Sequence, residues 1–599
     1  MCYYTTQPKK GFRPAYGMVV VMNIGRREFI GGAGAVFYTG TSLELFAGEN
    51  PLLRIGVMTD THIGKTKDTC KRVRQACELF RKYNVDMMVN TGDVAEFHYP
   101  TGYQAYRETI EEVFAGVPKS ARPKELFVYA AHDYFGYKDT PRKDWDKCAT
   151  PAFADMKRFI GATNDPYDHG MIKGFPYVVI PQHMTGGLDV DKCKKMVADA
   201  CAANPGKPVF VFAHVPPERT TRTGRGSYFM KQICLQSPQV VNLSGHTHGS
   251  LSDERAIWQG AFTSVNVGCL QNWGDGRDGI VGSSVRRINN YGAVIVDVYP
   301  SRIVFRRFDV RDGAEYRANS PWTIPWPHNP SSAPYLAKKR NDRNLVPVFA
   351  ADAAMRVAPS EIEDGGVRLS MPVASGDPRP YAYRVFLDRK DAAGIWQPHA
   401  RRDFFGDFWQ REHERPQKYE HEFASSYFEE GDKYRFRVAC VNCWGVEGKQ
   451  ISVELDAPKR KTPANIVWSS SNPMEECEFR SGLSGGKTMP RDGEFYKMDG
   501  SARLEIPKEV WKGPKDTPFR LVVDIHTVQE KLPTWTIVPR NPKPLRNAAG
   551  RLATPPGDSG LLRYVIDFKK MTEKHAYYLL IREGGEGKIR FGKIRVERM

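Results

Sequence analysis

Between Leu52 and residue 268 the sequence repeats one pattern, a short uninterrupted apolar run followed by a polar or helix-spaced stretch. The runs are RIGVMTD (54–60), VDMMVNTGD (85–93), ELFVYAAHD (125–133), PYVVIPQ (176–182), PVFVFAHV (208–215), VVNLSGHTH (240–248) and FTSVNVG (262–268). Residues 67–83 carry helical spacing through Val73, Cys77 and Phe80. Runs this short and this apolar are strands covered on both faces, and the intervening helices supply the cover, so the pattern predicts an α/β domain.

The hairpin-like YGAVIVDVYPSRIVFRRFDV (291–310) closes that region, giving expected bounds of 51–315. The proline-rich, polar stretch that follows reads as a linker over 316–349. Beyond it helical spacing nearly vanishes. VRLSMPVA, YAYRVFLDR, YEHEFASSYF and KYRFRVACVN alternate at period two within 350–457, as a small β-sandwich does. A second break near Pro458–Pro463 opens another alternating stretch, 458–599, with FRLVVDIHTV, LLRYVIDF, AYYLLIRE and GKIRFGKIRVE. A chain of 599 residues is expected to hold three or four such units.

With 41% hydrophobic and 26% charged residues, the composition is that of a folded globular chain and excludes a disordered, collagenous or membrane-embedded one. The net charge of +18 favours anionic partners. Its basic clusters, Lys338-Lys339-Arg340 and Lys459-Arg460-Lys461, fall at the breaks and have no aromatic-interleaved nucleic-acid motif beside them, so a solvated basic surface is expected. Eleven cysteines are too few for a disulfide scaffold. The Cys440–Cys443 pair lies in a strand-like run with no second pair, which reads as packing thiols. Residues 22–48 have an arginine pair, a glycine-interrupted apolar stretch and small residues before Glu49, the layout of a twin-arginine export signal. Met22 stands where such a signal begins, and the apolar stretch is too short for a spanning helix. The expected location is periplasmic or secreted.

The α/β strands end in metal-binding residue types. Asp60 and His62 form DTH, Asp93 lies in GDVAE, His132 and Asp133 follow two alanines, His214 ends VFAH, and His246 and His248 form GHTH. In open α/β sheets, groups at the carboxyl ends of strands converge on one crevice. Oxygen and imidazole donors without thiolate suit Mn, Fe or Zn.

This ordered set resembles the calcineurin-like metallophosphoesterase family over roughly residues 52–310. The resemblance implies a four-layer αββα sandwich and two divalent metal sites. It implies one ion on Asp60, His62 and His248, a second on His214 and His246, and Asp93 between them. His132 matches the family's non-ligand histidine, expected to stabilise the phosphoryl group or protonate the leaving oxygen, and Glu96 the acidic residue that orients it. The chain departs from the family at Ala131, where an asparagine amide is a ligand of the second ion; that site is therefore expected to be weakened. Purple acid phosphatases are similar in architecture, but their iron-binding tyrosine position is Glu96 here.

The loop after His214, PPERTTRTGRGSYF, brings Arg219, Arg222 and Arg225 forward as substrate contacts, and His98 and Tyr99 follow the GDVAE turn. YRFRVACVNCWGVEG resembles the late strands of a fibronectin type III domain. The last segment resembles the final strands of galactose-binding-like or carbohydrate-binding jelly rolls, with Trp511 and Trp535 available either as core or as a sugar platform. The combined expectation is an exported phosphoesterase acting on a phosphorylated small molecule or glycan, as monoester or diester, by attack of a metal-activated hydroxide. The alternative is a catalytically impaired relative that binds glycan or cell-surface polymer.

Overall fold

The computed structural model describes residues 49–64, 69–96, 100–134, 145–182, 188–221, 226–271, 291–340, 346–376, 379–477, 479–481, 491–499, 502–529, 534–540, 550–553, 560–571, 576–582 and 586–599. The twin-arginine-type segment, His98, Tyr99, Arg222 and Arg225 lie outside these residues. Among the described residues no helix is long and apolar enough to cross a membrane.

The α/β domain is a pair of sheets laid face to face between helices. Its strands are β1 (Leu53–Met58), β2 (Met87–Asn90), β3 (Lys124–Phe127), β4 (Asp168–Ile172), β5 (Phe175–Ile180), β6 (Val209–Ala213), β7 (Val240–Ser244), β8 (Ile257–Gln259), β9 (Thr263–Asn266), β10 (Gly292–Val298), β11 (Arg302–Asp309), β12 (Ala314–Tyr316) and β13 (Trp322–Pro325). One sheet has the order β12-β11-β10-β1-β2-β3 with β13 beside β11, and the other β4-β5-β6-β7-β9-β8. In each, the central strands are parallel: β1-β2-β3 in the first and β5-β6-β7-β9 in the second.

Side-chain alternation along these strands feeds three cores. Ile55, Val57, Val89 and Val294 meet Val179, Phe210, Phe212 and Leu243 between the sheets. On the outer face of the first sheet, Met58, Met88 and Ile295 pack against α1 (Thr69–Lys82), α2 (Pro100–Val113) and, beyond the short α3 (Ala131–Tyr134), α4 (Trp145–Ile160). On the outer face of the second, Val178, Ile180, Val209 and Val211 pack against α5 (Val190–Ala203) and α6 (Tyr228–Cys234). The helix predicted over 67–83 is α1, and its Val73, Cys77 and Phe80 are fully buried. Gly56 admits that packing, since a Cβ there would sit 2.6 Å from the Phe80 ring. The four layers are αββα, as the family resemblance implies; the strand pattern by itself predicts only an α/β domain.

The expected linker over 316–349 is corrected by the structure. β13 pairs with β11 through Trp322 to Pro325, and Trp322 and Trp326 are buried in the core between the sheets. Tyr335 accepts the amide of Gln259 through its carbonyl and the amide of Thr323 through its hydroxyl. Prolines interrupt the periodicity that marks a strand, so the segment reads as linker although its aromatics seal a sheet edge.

The following strands are all β. Residues Arg356–Pro359, Val367–Pro372 and Lys418–Phe423 form a three-stranded sheet; Trp396–Phe405, Ala382–Lys390, Lys433–Val441 and Ile451–Asp456 form a four-stranded one. Their shared core includes Leu369, Tyr383, Val385, Phe404, Phe436 and Val438. Cys440 and Cys443 are both buried. Two further sheets, centred on Pro518–Gln529 with Glu586–Arg598 and on Ala576–Arg582, enclose a core of Trp511, Phe519, Leu521, Phe568 and Leu579. Trp511 is thus core and not a sugar platform; the Trp535 side chain lies outside the described residues. A partly buried ion pair and a buried hydrogen bond join the two sandwiches: Arg520 donates to both oxygens of Glu363 at 2.6 and 2.8 Å, and Ser426 Oγ donates to Glu597.

Two half-buried histidines make the first sandwich sensitive to acid. Burial, with Arg563 nearby, pulls His399 down to about 4, and its Nε2 contacts the Tyr427 carbonyl at 2.7 Å. Burial, with Arg402, pulls His421 down to about 3, its ring stacked 3.5 Å from Phe404. The folded state binds these protons more weakly than the unfolded chain, so their contribution is complete above pH 6.5 and is lost as pH falls toward 4. Each should cost about 3 kcal/mol by pH 4. Denaturant unfolding of the wild type and His421→Phe across pH 4–7 checks this: the variant should lose roughly half the pH slope, and an unchanged slope would defeat the argument.

Candidate metal centre

The first crevice wall is built by the loops after β1 and β2, which run side by side. Asp60 N donates to the Gly92 carbonyl and His62 N to the Asp93 carbonyl, both at 3.0 Å. Gly92 has φ 106°, and a Cβ there would meet Ala130 Cβ at 2.6 Å. Gly245 is equally constrained: a Cβ would sit 1.9 Å from Thr59 Oγ1. Its absence lets the GHTH loop close on Asp60, whose Oδ2 accepts from His246 N at 2.9 Å and from Thr59 Oγ1 at 2.8 Å.

Asp60, His62, Asp93, His246 and His248 have φ between 42° and 69°. Left-handed backbone at a non-glycine residue costs of order 1–3 kcal/mol, and it persists where surrounding structure imposes it, typically at functional sites. Here that conformation turns consecutive side chains back into one crevice.

Three donor groups result, each with ligand atoms within 4.8 Å of one another: Asp60, His62 and His248; His62, Asp93 and His132; and Asp93, His214 and His246. Asp93 joins two of them. Its Oδ1 accepts from His132 N at 3.0 Å, leaving Oδ2 to face His214 Nε2 at 3.0 Å and His62 Nε2 at 3.8 Å. Asp60 Oδ1 lies 2.9 Å from His248 Nε2 and 3.7 Å from His62 Nε2.

The imidazoles are oriented from behind. His214 Nδ1 contacts the Thr91 carbonyl at 3.0 Å, His248 Nδ1 the Gln271 carbonyl at 3.1 Å, and His62 Nδ1 the Glu96 carboxylate at 2.9 Å. An acceptor on Nδ1 places the proton there and turns an Nε2 lone pair into the crevice, the arrangement metal-bound histidines adopt. Asp60 Oδ1 and His214 Nε2 are buried and meet no hydrogen-bond geometry, their nearest contacts being His248 Nε2 at 2.9 Å and Asp93 Oδ2 at 3.0 Å. Carboxylate and imidazole donors with buried, unsatisfied lone pairs fit divalent metal ions.

The expected role of Glu96 is corrected by this geometry. Its carboxylate lies 2.9 Å from His62 Nδ1, and its backbone carbonyl lies 2.7 Å from His132 Nδ1. The left-handed turn at His62 and Asp93 brings the Glu96 side chain over the metal-binding imidazole.

Charge is balanced within the cluster. Burial pushes the Asp60 carboxyl up, but His248 and His214 outweigh it and hold it well below the usual range; Asp93 is likewise lowered against burial, chiefly by His214. Burial lowers His62, yet Asp60 and Glu96 raise it to about 8. His214 and His248 are raised against burial by the carboxylates, Asp93 first for His214 and Asp60 first for His248. Burial lowers His132; His246, although its side chain is exposed to solvent, is lowered by desolvation among the crowded crevice groups and by His214.

All six expected metal ligands, with His132 and Glu96, therefore lie in one crevice. Arg219 is exposed, and Arg222 and Arg225 lie outside the described residues. Sequence reasoning missed two supports, Thr59 and Gln182, and singled out Asp133 without its role. Thr59 locks Asp60. Asp133 accepts the amides of Val94, Ala95 and Ala130 and so fixes the GDVAE turn. Gln182 Oε1 accepts the Ala131 amide at 3.1 Å. Gln182 ends the run PYVVIPQ, so the strand-end rule that found the other polar residues applies to it too.

Residues 53–250 match the sequence model of the calcineurin-like phosphoesterase family. No curated protein sequence matches the chain. Similar solved structures include a dimetal phosphatase from Danio rerio (9% identity, TM-score 0.31, covering 46% of this chain and 100% of that one). Purple acid phosphatase from yellow lupin (Lupinus luteus) seeds is also similar (12%, 0.33, 46% and 53%). So is a CBM22 tandem domain from Paenibacillus barcinonensis (6%, 0.18, 42% and 93%). Residues 53–250 form a calcineurin-like metallophosphoesterase domain.

Proposed function

We propose that the chain is an exported metal-dependent phosphoesterase that hydrolyses a phosphomonoester or phosphodiester. The observation that carries this is the single oxygen Asp93 Oδ2, facing His62 of one donor set and His214 of the other. The export part is supported by the sequence layout of residues 22–48 alone.

Asp60, His62, His248 and Asp93 would hold one ion, and Asp93, His214 and His246 the other, with Ala131 offering no side-chain donor to the second. Bound divalent ions supply Lewis acidity toward the phosphoryl oxygens and lower the pKa of the attacking water. The chain's own part is orientation. Thr59 and the His246 amide hold Asp60, the His132 amide holds Asp93, and the acceptors behind His62, His214 and His248 keep their Nδ1 protons away from substrate. The strand order of the middle sandwich, three strands against four, supports the fibronectin type III-like reading of residues 350–457. The C-terminal sandwich is read as a carbohydrate-binding-like module, with its buried Trp511 excluded from any contact.

Chelator-stripped protein should hydrolyse aryl phosphomonoester or phosphodiester at background rate, and adding Mn should raise turnover at least about 100-fold. Equal rates with and without metal on both substrates would sink the enzyme reading and favour the polymer-binding alternative, toward which the donorless Ala131 points.

A further inference from the structure

We propose that the middle sandwich is a working part of the metal centre: its Tyr381 and Arg411 hold the two chain segments that orient His248, and so set the affinity of the ion on Asp60, His62 and His248. This rests on the metal-centre reading above and adds to it positioning residues from another domain.

The first hold is on the loop that leaves His248. Asp253 fixes Arg255 at three points, its Oδ1 accepting from Arg255 N at 2.9 Å and Nε at 3.0 Å, and its Oδ2 from Nη2 at 2.8 Å. The guanidinium so fixed lies 4.5 Å from the centre of the Tyr381 ring, a cation over an aromatic face, and that attraction strengthens where water is excluded. Tyr381 is buried, with Phe408 and Phe405 packed on it at centroid distances of 4.6 and 5.9 Å. Its hydroxyl has no hydrogen-bond partner among the described residues, so the ring is what it offers Arg255. On the other side, Asp253 N donates to the Ser250 carbonyl at 3.0 Å, which ties the hold back toward His248.

The second hold is on the turn after β11. Arg411 pairs with Asp312 across the seam and with Glu414 beside it, and Glu414 stands 3.9 Å from Arg311. Both arginine side chains are largely out of solvent, so these pairs are screened less than open surface ones. Arg311 Nε donates to Asp309 Oδ1 at 2.9 Å, and Asp309 ends its strand opposite Gly292. From there the hydrogen bonds lead inward. Val310 N donates to the Tyr291 carbonyl at 2.9 Å and Gly292 N to the Cys269 carbonyl at 2.8 Å. Two residues further on, the Gln271 carbonyl lies 3.1 Å from His248 Nδ1, the contact that orients the imidazole.

The sandwich loop that makes both holds is itself stiff. Gly406 N donates to the Tyr381 carbonyl at 2.8 Å and Phe408 N to the Pro380 carbonyl at 3.2 Å. A Cβ on Gly406 would sit 2.1 Å from that Pro380 oxygen, so glycine is what lets the loop close. A spacer needs no contact with the domain it follows. Here two contacts are made, and both bear on one metal ligand.

Metal binding in the full chain tests this apart from turnover. Apo protein is titrated with Co²⁺ alone, with the affinity of the tighter ion read by chelator competition and its visible absorption recorded. The double variant Tyr381→Leu, Arg411→Ala should bind that ion about 10-fold more weakly and with an altered spectrum. Tyr381→Phe, which keeps the ring beneath Arg255, should match the wild type. Arg411→Ala alone serves if the double variant does not fold, with a loss of about 3-fold expected. Wild-type affinity and spectrum in the folded double variant, or in Arg411→Ala where that variant stands in for it, would overturn the proposal and leave the phosphoesterase reading in place. A loss in Tyr381→Phe as large as in the double variant would overturn it too, since the stacked ring would then not be the cause. A wild type that binds no Co²⁺ would overturn both readings.

Discussion

Asp93→Asn should lower metal-dependent turnover of aryl phosphates by about 10³-fold or more and weaken both ions together. The size follows from the charge removed. Asp93 faces His62 and His214 at once through Oδ2, at 3.8 and 3.0 Å, and approaches His214 more closely than Asp60 Oδ1, which stands 3.9 Å from it. A bridging anion contributes several kcal/mol to holding two cations and the charge that develops between them, and about 1.4 kcal/mol corresponds to a factor of ten. Misfolding is a poor competing explanation. Asn tolerates the left-handed backbone at φ 52°, and its amide oxygen can still accept from the His132 amide as Asp93 Oδ1 does at 3.0 Å. Thermal unfolding of the apo variant should therefore match the wild type, while metal analysis should show both ions depleted. An active Asp93→Asn protein with its full metal content would mean that the two donor sets do not share a bridge.

The donor residues were legible in the sequence because each ends an apolar run, and a parallel strand delivers its last residue to the same edge as its neighbours. The α/β class was legible in the apolar runs themselves, whereas the αββα layering came with the family resemblance. What sequence could not show is direction at single-residue scale. Glu96 lies three positions after Asp93, and nothing in that spacing says whether its carboxylate or its carbonyl meets His132; the left-handed turns at His62 and Asp93 decide it. Gln182 was passed over because its contact is with a backbone amide 51 positions away, which no local pattern encodes. The segment after β12 was misread for a different reason. Its tryptophans are separated by prolines, so period-two alternation is broken even though Trp322 and Trp326 are core residues.

That misread segment bears on the second large effect. Glu254→Ala should lower the melting temperature of the α/β domain by about 10 °C. Glu254 Oε1 accepts from Arg307 Nη1 and Arg317 Nη1, each at 2.9 Å, and Oε2 accepts from Trp322 Nε1 at 2.8 Å. Arg307 is fully buried in β11, stacked 4.1 Å from the Trp322 ring, and it also donates to the carbonyls of Leu251 and Ser320. One carboxylate thus ties the loop that leaves His248 to a buried arginine and to β13. Removing one partner of a buried ion pair costs about 3–5 kcal/mol, because the remaining charge is left without compensation, and each kcal/mol moves a domain of this size by about 2–4 °C. The double variant Glu254→Ala with Arg307→Met should lose less than Glu254→Ala alone, since the stranded cation is then gone. Differential scanning calorimetry of the three proteins decides it. A shift below about 2 °C for Glu254→Ala, or additive losses in the double variant, would show that Arg307 is stabilised by its carbonyl contacts and the Trp322 face without needing the carboxylate.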